Sequence, residues 1–375
     1  MKTYSKIING NCIDKLKYIT DNSVDLIFAD PPYWMRTSGV LHRVEGAEFN
    51  GCSDEWDNQF ESLDDYIDFT KKWLAECRRV LKPNGSIWVI GSMQCIYTIG
   101  NVMQELGFWI INDVIWHKKN PTPNFKGTRL NNSHETLIWA TKTNKSKYTF
   151  NYKTAKELNT DNVTEEEFKK GVRKQMGSVW KIAICQGTER LKDKEGNKLH
   201  STQKPQELLY RIINISSNLG DLVLDPFGGT MTTGAVAKQC GRNFIGIEAS
   251  RHYCKYGEER IFNTEVNIGD IEKAVFDIKP PKVSLQDMIA NNYIHINEKM
   301  YLKNSDKYVI LLQNGRVKLP DGEQADIHSA AAILSNRNAS RLNGFDYWYV
   351  ERDNKNVLID EIRNNYRKDF FAVLK

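Results

Sequence analysis

An apolar run from Val24 to Phe28 stops abruptly at Ala29-Asp30-Pro31-Pro32-Tyr33. The run reads as a strand buried on both faces. Two successive prolines cannot donate to a sheet ladder or open an ordinary helical turn, so the strand must end at Asp30. This puts one carboxylate, two rigid carbonyls and one aromatic ring at the carboxyl end of a strand. In open α/β sheets that edge is where ligands bind. An amine conjugated to an aromatic base is a poor nucleophile, because its lone pair is delocalised into the ring. Asp30 and the Pro31 carbonyl can each accept one N–H from such an amine and localise that lone pair, with Pro32 stiffening the turn. Tyr33 can hold the base flat by stacking once it has left a duplex. The plain alternative is a strand-to-loop turn, since Asp-Pro pairs form turns readily.

A second stretch of the same kind lies far downstream. Leu222-Val223-Leu224-Asp225-Pro226-Phe227-Gly228-Gly229-Thr230 reads as a buried strand entering a Gly-rich turn, then a helix from Thr232 to Cys240. Glycines let a ligand approach the backbone, and the amides of a helix start face it. About 20 residues on, a strand from Phe244 ends in Glu248, where an acid can accept from two ribose hydroxyls. Strand, Gly turn, helix, strand and terminal acid together predict a site for a nucleoside-containing cofactor. No lysine-bearing phosphate loop is present, which argues against a triphosphate.

Between these stretches, helical and strand-like runs alternate. Ser62 to Lys82 predicts a helix opened by a Ser62/Asp65 capping box and closed by Pro83-Asn84-Gly85. A strand at Ser86–Gly91, a helix at 94–106 and strands at 110–116 and 134–142 follow, an alternation expected of a doubly wound sheet. Trp34 to Asp57 is a long loop hanging from the first stretch, and Arg36, His42 and Arg43 in it are candidates for phosphates or base edges. Lys118-Lys119-Asn120-Pro121-Thr122-Pro123-Asn124-Phe125, with Arg129, interleaves basic, amide and aromatic groups in a way that suits a DNA strand. His134-Glu135 lacks the second His of a zinc-protease helix and reads as structural or substrate-positioning, not metal-binding. The polar, weakly periodic run from Lys153 to Met176 reads as a surface insertion. Pro205, after His200-Ser201-Thr202-Gln203-Lys204, suits the first position of a helix from Gln206. Beyond a linker with Pro280-Pro281, short β-like runs from Ser284 onward predict a small separate domain. Its basic stretch Asn336–Gly344, with Ser340 and Asn343, can lie on DNA or be a solvated loop.

Length and composition set only broad limits. A chain of 375 residues has room for more than one core, and a net charge of +5 permits nucleic-acid binding without establishing it. Seven cysteines without a CxxC pair fit reduced thiols in a cytoplasmic protein better than a disulfide frame or a zinc site, and no metal is expected. No apolar run reaches the ~18 residues of a membrane span, and no signal-peptide core is visible.

With Asp30-Pro31-Pro32-Tyr33 and Asp225-Pro226-Phe227-Gly228-Gly229 both present, in that order, the chain resembles the β group of DNA adenine methyltransferases. It is most similar to the HinfI-type and CcrM-like enzymes of GANTC sites. The resembling stretches include Asp54–Asp57, Asn120–Phe125, His134-Glu135-Thr136, His200–Pro205 and Asn343–Trp348. The resemblance implies an α/β fold: a doubly wound, mostly parallel Rossmann-like methyltransferase sheet with a long target-recognition insertion and a small C-terminal domain. Residues 1–265 would be catalytic, with recognition elements at about 34–57 and 118–200. Residues 266–283 would be a linker and 284–375 a DNA-binding domain. It implies S-adenosyl-L-methionine as cofactor, with Asp30, His200, Ser201, Thr202, Lys204, Pro205 and Asp225, Pro226, Phe227, Gly229 and Thr230 around it. Glu248 would hold the ribose and Asn11 and Cys12 the adenine. Lys118, Asn120, Asn124, Arg129, Ser340, Asn343 and Trp348 would meet double-stranded DNA, in a homodimer and beside a possible cognate restriction endonuclease. Two positions depart from the family's pattern: Met231 stands where Gly is usual, and Asn11 where Asp is usual. The expected reaction is base flipping followed by direct in-line transfer to the 6-amino group of adenine. The alternatives are transfer to the 4-amino group of cytosine, which uses the same geometry, and a DNA-binding regulator with a degenerate site.

Overall fold

The computed structural model describes residues 3–35, 40–42, 48–50, 60–124, 128–193, 195–200, 202–267, 269, 281–335, 339–353 and 355–370, with 40–42 and 48–50 described as backbone alone. Two compact units divide the chain, Met1–Asp277 and Ile278–Lys375. Among the described residues no helix is long and apolar enough to cross a membrane.

The first unit is built on an eight-stranded sheet. Its strands are β1 (Ser5–Asn9), β2 (Val24–Ala29), β5 (Leu81–Gly91), β6 (Trp109–Lys118), β7 (His134–Thr141), β8 (Val179–Ile182), β9 (Leu222–Asp225) and β10 (Asn243–Glu248). They lie in the order β1-β10-β9-β2-β5-β7-β6-β8. β7 runs against both β5 and β6, while every other pairing in this sheet is parallel. Both faces are covered, which explains the near-continuous apolar runs. Ile87 and Val89 of β5 join the core cluster beneath α1 (Cys12–Leu16), α2 (Leu63–Val80) and α3 (Ile96–Glu105). Trp88 and Ile90 join the opposite cluster, with α4 (Tyr152–Leu158), α6 (Gln206–Ser216) and α7 (Thr232–Gln239). The Ser62/Asp65 capping box expected at the head of α2 is present.

The chain builds outward from β2 to β5, then returns on the other side of β2 with β9. Strand order therefore reverses between β2 and β9, and such a switch point opens a crevice at the carboxyl edge. Both chemical stretches sit on the two strands that flank it.

Three details differ from expectation. The loop after Tyr33 contains a short antiparallel hairpin, β3 (Val40–His42) with β4 (Glu48–Asn50). The run at 153–176 is not a mere surface insertion. It holds most of α4 and all of α5 (Glu165–Lys169), and it is tied to α6 through Asp161, 2.5 Å from buried Arg211; just ahead of it, buried Asn151 donates to the carbonyls of Asn214 and Ser217. Pro205 is the residue before the first turn of α6, one position earlier than expected.

The second unit has its own core around an all-antiparallel six-stranded sheet, β14-β13-β12-β11-β15-β16. The strands are β11 (Lys299–Leu302), β12 (Tyr308–Leu311), β13 (Val317–Lys318), β14 (Gln324–Ala325), β15 (Trp348–Arg352) and β16 (Lys355–Leu358). Among the described residues three α-helices accompany them, α8 (Leu285–Ala290), α9 (Ile327–Leu334) and α10 (Ile359–Phe370). Trp348 is fully buried among Met300, Val309, Leu311 and Ile359, and its indole N–H donates to the Ile327 carbonyl at 2.8 Å.

Candidate active site

Four pieces of backbone converge at the carboxyl edge of the first sheet: the end of β2, the β9–α7 turn, the end of β10 and, because β7 is reversed, that strand's beginning. They enclose a cavity of about 890 Å³. Its walls include Asn11, Cys12, Asp30, Pro31, Pro32, Tyr33, Lys118, His200, Thr202, Lys204, Asp225, Pro226, Phe227, Gly229, Thr230 and Glu248. The two motifs that the sequence separates by almost two hundred residues thus face one space.

At the β2 end the chain turns sharply. The Tyr66 hydroxyl donates to the Pro32 carbonyl at 2.8 Å. Trp34 takes up left-handed backbone (φ 50), which costs a bulky residue of order 1–3 kcal/mol and persists only where its surroundings over-determine it. Here they do: the Trp34 ring stacks on Tyr66 at 5.7 Å, and its N–H donates to the Phe60 carbonyl. Pro31, Pro32 and Tyr33 are thereby held against α2.

Asp30 and Tyr33 belong to a charged cluster. The Lys204 ammonium lies 2.7 Å from Asp30 and 4.0 Å from Glu135, and 5.0 Å from the centre of the Tyr33 ring. The Tyr33 hydroxyl donates to Glu135 Oε2 at 2.8 Å, and Lys118 Nζ reaches Glu135 Oε1 at 2.7 Å. Burial pushes the Asp30 carboxyl above its ordinary pKa, against the pull of Lys204. Burial works the same way on Glu135, but Lys204 and Lys118 together outweigh it and hold that carboxyl low. Burial opposes the charge on Lys204, yet Asp30 and Glu135 overcome it and raise its pKa.

At the other end, Glu248 accepts from the Gly229 amide at 2.8 Å and the Ser250 amide at 2.7 Å. Asp225 accepts from the Thr233 hydroxyl at 2.5 Å and the Phe227 amide at 3.0 Å. Burial, with Asp30 and Glu248 nearby, lifts its pKa to about 7. Gly229 (φ 49) lies under the His200 ring, where an added Cβ would come within 3.2 Å of Nε2. The Phe227 ring packs edge-on to Trp73 at 5.2 Å and seals the floor. Buried carboxylates beside a Gly turn and apolar walls suit a cationic, nucleoside-bearing ligand, so the residues present fit S-adenosyl-L-methionine.

Both departures from the family's pattern have structural accounts. Asn11 caps α1, its side-chain oxygen accepting from the Ile13 amide. Met231 adopts φ 58 at the start of α7 and is fully buried. Its side chain fills space left by three glycines: added Cβ atoms on Gly228, Gly246 and Gly257 would lie 2.4–2.5 Å from its Sδ or Cγ.

The expected DNA contacts divide. Lys118 turns inward to Glu135. Asn120 is occupied within the protein, accepting from the Ile184 amide and donating to Gln186. Asn124 donates to the Arg129 carbonyl, leaving the Arg129 side chain exposed. Ser340 and Asn343 are exposed in the second unit, where Asn343 donates to Asp346. Trp348 is corrected: its ring and its N–H are both spent on the core, so it offers nothing to DNA. Arg36, Arg43, Ser201 and the His42 side chain lie outside the described residues, as do Asp54–Asp57. Pro205 is buried behind Lys204 and is not part of the cavity wall. Glu135, read from the sequence as structural or substrate-positioning, is brought by the fold against Tyr33, Lys118 and Lys204, partners the sequence did not name. Apolar pattern alone does not reveal strand direction, and only the reversal of β7 carries its first residues to this edge.

Fold and site together define an enzyme that modifies an amino group. The DNA methylase family model matches residues 24–259, more than half of the chain, and the protein belongs to that family. The type II methyltransferase M.HinfI of Haemophilus influenzae is 49% identical over 360 residues, 96% of each chain. The type II methyltransferase M2.DpnII of Streptococcus pneumoniae is 37% identical over 256 residues, covering 68% of this chain and 88% of its own. The solved PvuII DNA methyltransferase, described as cytosine-N4-specific, shares the fold with a TM-score of 0.52 at 19% identity, over 73% of this chain and 92% of its own.

Proposed function

We propose that this protein methylates the 6-amino group of an adenine flipped out of duplex DNA, with S-adenosyl-L-methionine as donor and GANTC as the site. The observation that carries the reading is the single cavity joining Asp30–Tyr33 to Gly229 and Glu248. The GANTC assignment rests on the stretches shared with that group and is supported by the 49% relative. Bound at the β9–β10 end, the donor supplies an electrophilic methyl group on a sulfonium. Glu248, Asp225 and the 225–230 turn would hold it, with Asn11 and Cys12 beside its base and His200, Thr202 and Lys204 closing over it. The remaining work is positional. Tyr33 stacks on the extruded base. Asp30 and the Pro31 carbonyl accept the two amino hydrogens, which bends the nitrogen toward a tetrahedral form with its lone pair out of the ring plane. Lys204 holds the Asp30 carboxylate in place, and Asp30 can take up the proton that the amine gives up. The exposed Arg129, Ser340 and Asn343, with Arg36, His42 and Arg43, would face DNA. Activity would be cytoplasmic, at the nucleoid, by a homodimer, with or without a cognate endonuclease.

Asp30→Ala tests this. It should cut methyl transfer into GANTC duplexes by about 10²–10³-fold, as loss of a transition-state acceptor does, while circular dichroism stays close to wild type. Turnover near wild type in a folded variant rejects the assignment. Product nucleosides separate N6-methyladenine from N4-methylcytosine.

A further inference from the structure

Glu135 belongs to neither chemical motif, yet its carboxylate meets the target end of the cavity at three points. Oε2 accepts from the Tyr33 hydroxyl at 2.8 Å and lies 4.0 Å from Lys204. Oε1 is 2.7 Å from Lys118, the last residue of β6. We propose that Glu135 is a positioning residue of the target pocket, fixing the plane of the Tyr33 ring and sharing Lys204 with Asp30. The inference rests on the methyltransferase reading above.

The physical case has three parts. Packing in the core restrains the body of the Tyr33 ring, and the hydrogen bond from its hydroxyl to Glu135 fixes the far end, which sets the tilt of the face offered to a base. A stacked base takes its orientation from the ring beneath it, so a tilted ring misplaces the amine relative to Asp30. Second, Lys204 as a cation committed to Asp30 alone would draw on the carboxylate lone pairs that the amine needs. With Glu135 4.0 Å away, the charge is divided. Third, the cluster is a poor device for stability. Side chains of Lys204, Glu135, Lys118 and Asp30 are only 7–18% exposed, and buried ion pairs seldom outperform apolar residues of the same volume. Their place in the wall of the reacting cavity gives the cost a purpose. Lys118 also leads directly into the 119–124 segment expected to meet DNA, so Glu135 joins that segment to the ring that stacks on the base.

The test compares wild type, Glu135→Gln, Tyr33→Phe and the double variant. The substrate is a short GANTC duplex, with a second duplex carrying 2-aminopurine at the target position. Glu135→Gln should lower kcat about tenfold or more while KM for DNA and for cofactor stay within about twofold, since misorientation costs rate and not binding. The 2-aminopurine signal on binding should change in intensity or lifetime, because the base then sits on a loosened ring. The acid limb of kcat should move to lower pH, because an anion that raises Asp30 has been removed. The other groups facing Asp30, Tyr33 and Lys204 are Lys118 from β6, Cys95 before α3 and Asp225 from β9, and all remain in place. The double variant should lose less than the two single losses combined, since the substitutions meet at one bond: Gln keeps an acceptor oxygen but not the charge, and Phe removes the donor. Unchanged kcat in Glu135→Gln, a pure KM effect, or additive losses in the double variant overturn the proposal. Should Glu135→Gln fail to fold, Tyr33→Phe decides, because it keeps every charge and removes only the hydroxyl; unchanged kcat and 2-aminopurine signal there overturn the proposal too. A wild-type protein that incorporates no methyl group into DNA defeats the function itself, and is thereby distinct from a failure confined to Glu135.

Discussion

Asp225 is held by two hydrogen bonds that each favour its charged form, yet it is almost fully buried and near two other acids, and its pKa rises from 3.8 to about 7. The folded protein therefore binds a proton here that the unfolded chain has already released. Between about pH 4 and pH 7 folding takes up that proton, so stability falls as pH rises through the window and the loss is complete above it. Asp30 and Glu248, also raised by burial, act in the same direction. The share from Asp225 is at most roughly 4 kcal/mol, at about 1.4 kcal/mol per unit. Asp225→Asn should flatten the slope of urea-unfolding free energy over this range and leave the cofactor-free protein more stable than wild type at pH 8. The Asn oxygen still accepts from Phe227, and the Thr233 hydroxyl can turn to accept from the new amide. An unchanged slope would place the proton elsewhere. Met231 teaches the complementary lesson. Read along the chain, it is a residue with a Cβ where the turn wants none. Only the fold shows that Gly228, Gly246 and Gly257 leave room for its side chain, offsetting a left-handed backbone cost of order 1 kcal/mol with buried apolar contacts.

At the scale of elements, local signals were legible wherever local chemistry decides the outcome. The capping box of α2, the proline stop after β2 and the strand–glycine–helix run of β9 and α7 each depend on a few neighbouring residues, and each lies where the pattern puts it. Direction and long-range ties are different, because they are settled by partners far away in the chain. The reversal of β7 is one case, and it left the choice between a structural and a substrate-positioning role for Glu135 open. The segment at 151–176 is another: its charged surface conceals Asn159 and Asn151, both buried, and an ion pair linking Asp161 to Arg211. Arg211 is 2% exposed, and its guanidinium also meets Glu207 and Thr160, while the other Asp161 oxygen accepts from the Lys181 amide of β8. Asp161→Ala removes the buried partner and leaves a guanidinium only partly compensated by half-exposed Glu207. It should cost about 3 kcal/mol or more in denaturant unfolding, where a true surface insertion would lose less than about 0.5 kcal/mol. A value in the lower range would mean that the segment does not anchor α6 to β8.

Over the whole molecule, the division of labour follows from where the cavity walls come from. Every lining residue falls between Gly10 and Tyr253, inside Met1–Asp277, and each unit has a core of its own. Units that bury their own apolar residues can fold alone. A protein ending at residue 277 should therefore bind S-adenosyl-L-methionine within about threefold of the full chain, a difference below ~0.7 kcal/mol. The separate piece 278–375 carries a convenient reporter, since Trp348 is its one tryptophan. Burial of that ring against Met300 and Ile359 should give blue-shifted emission that moves to the red in a single cooperative transition with urea. If this unit helps to neutralise the DNA backbone, removing it should weaken binding to a GANTC duplex. The slope of log affinity against log salt should then become shallower by about 0.9 for each phosphate that the unit had neutralised. Loss of cofactor binding from the 1–277 protein would show that the second unit helps form the donor site. Unchanged DNA affinity and salt slope would remove DNA binding from its role, and Ser340 and Asn343 would then be ordinary solvated residues.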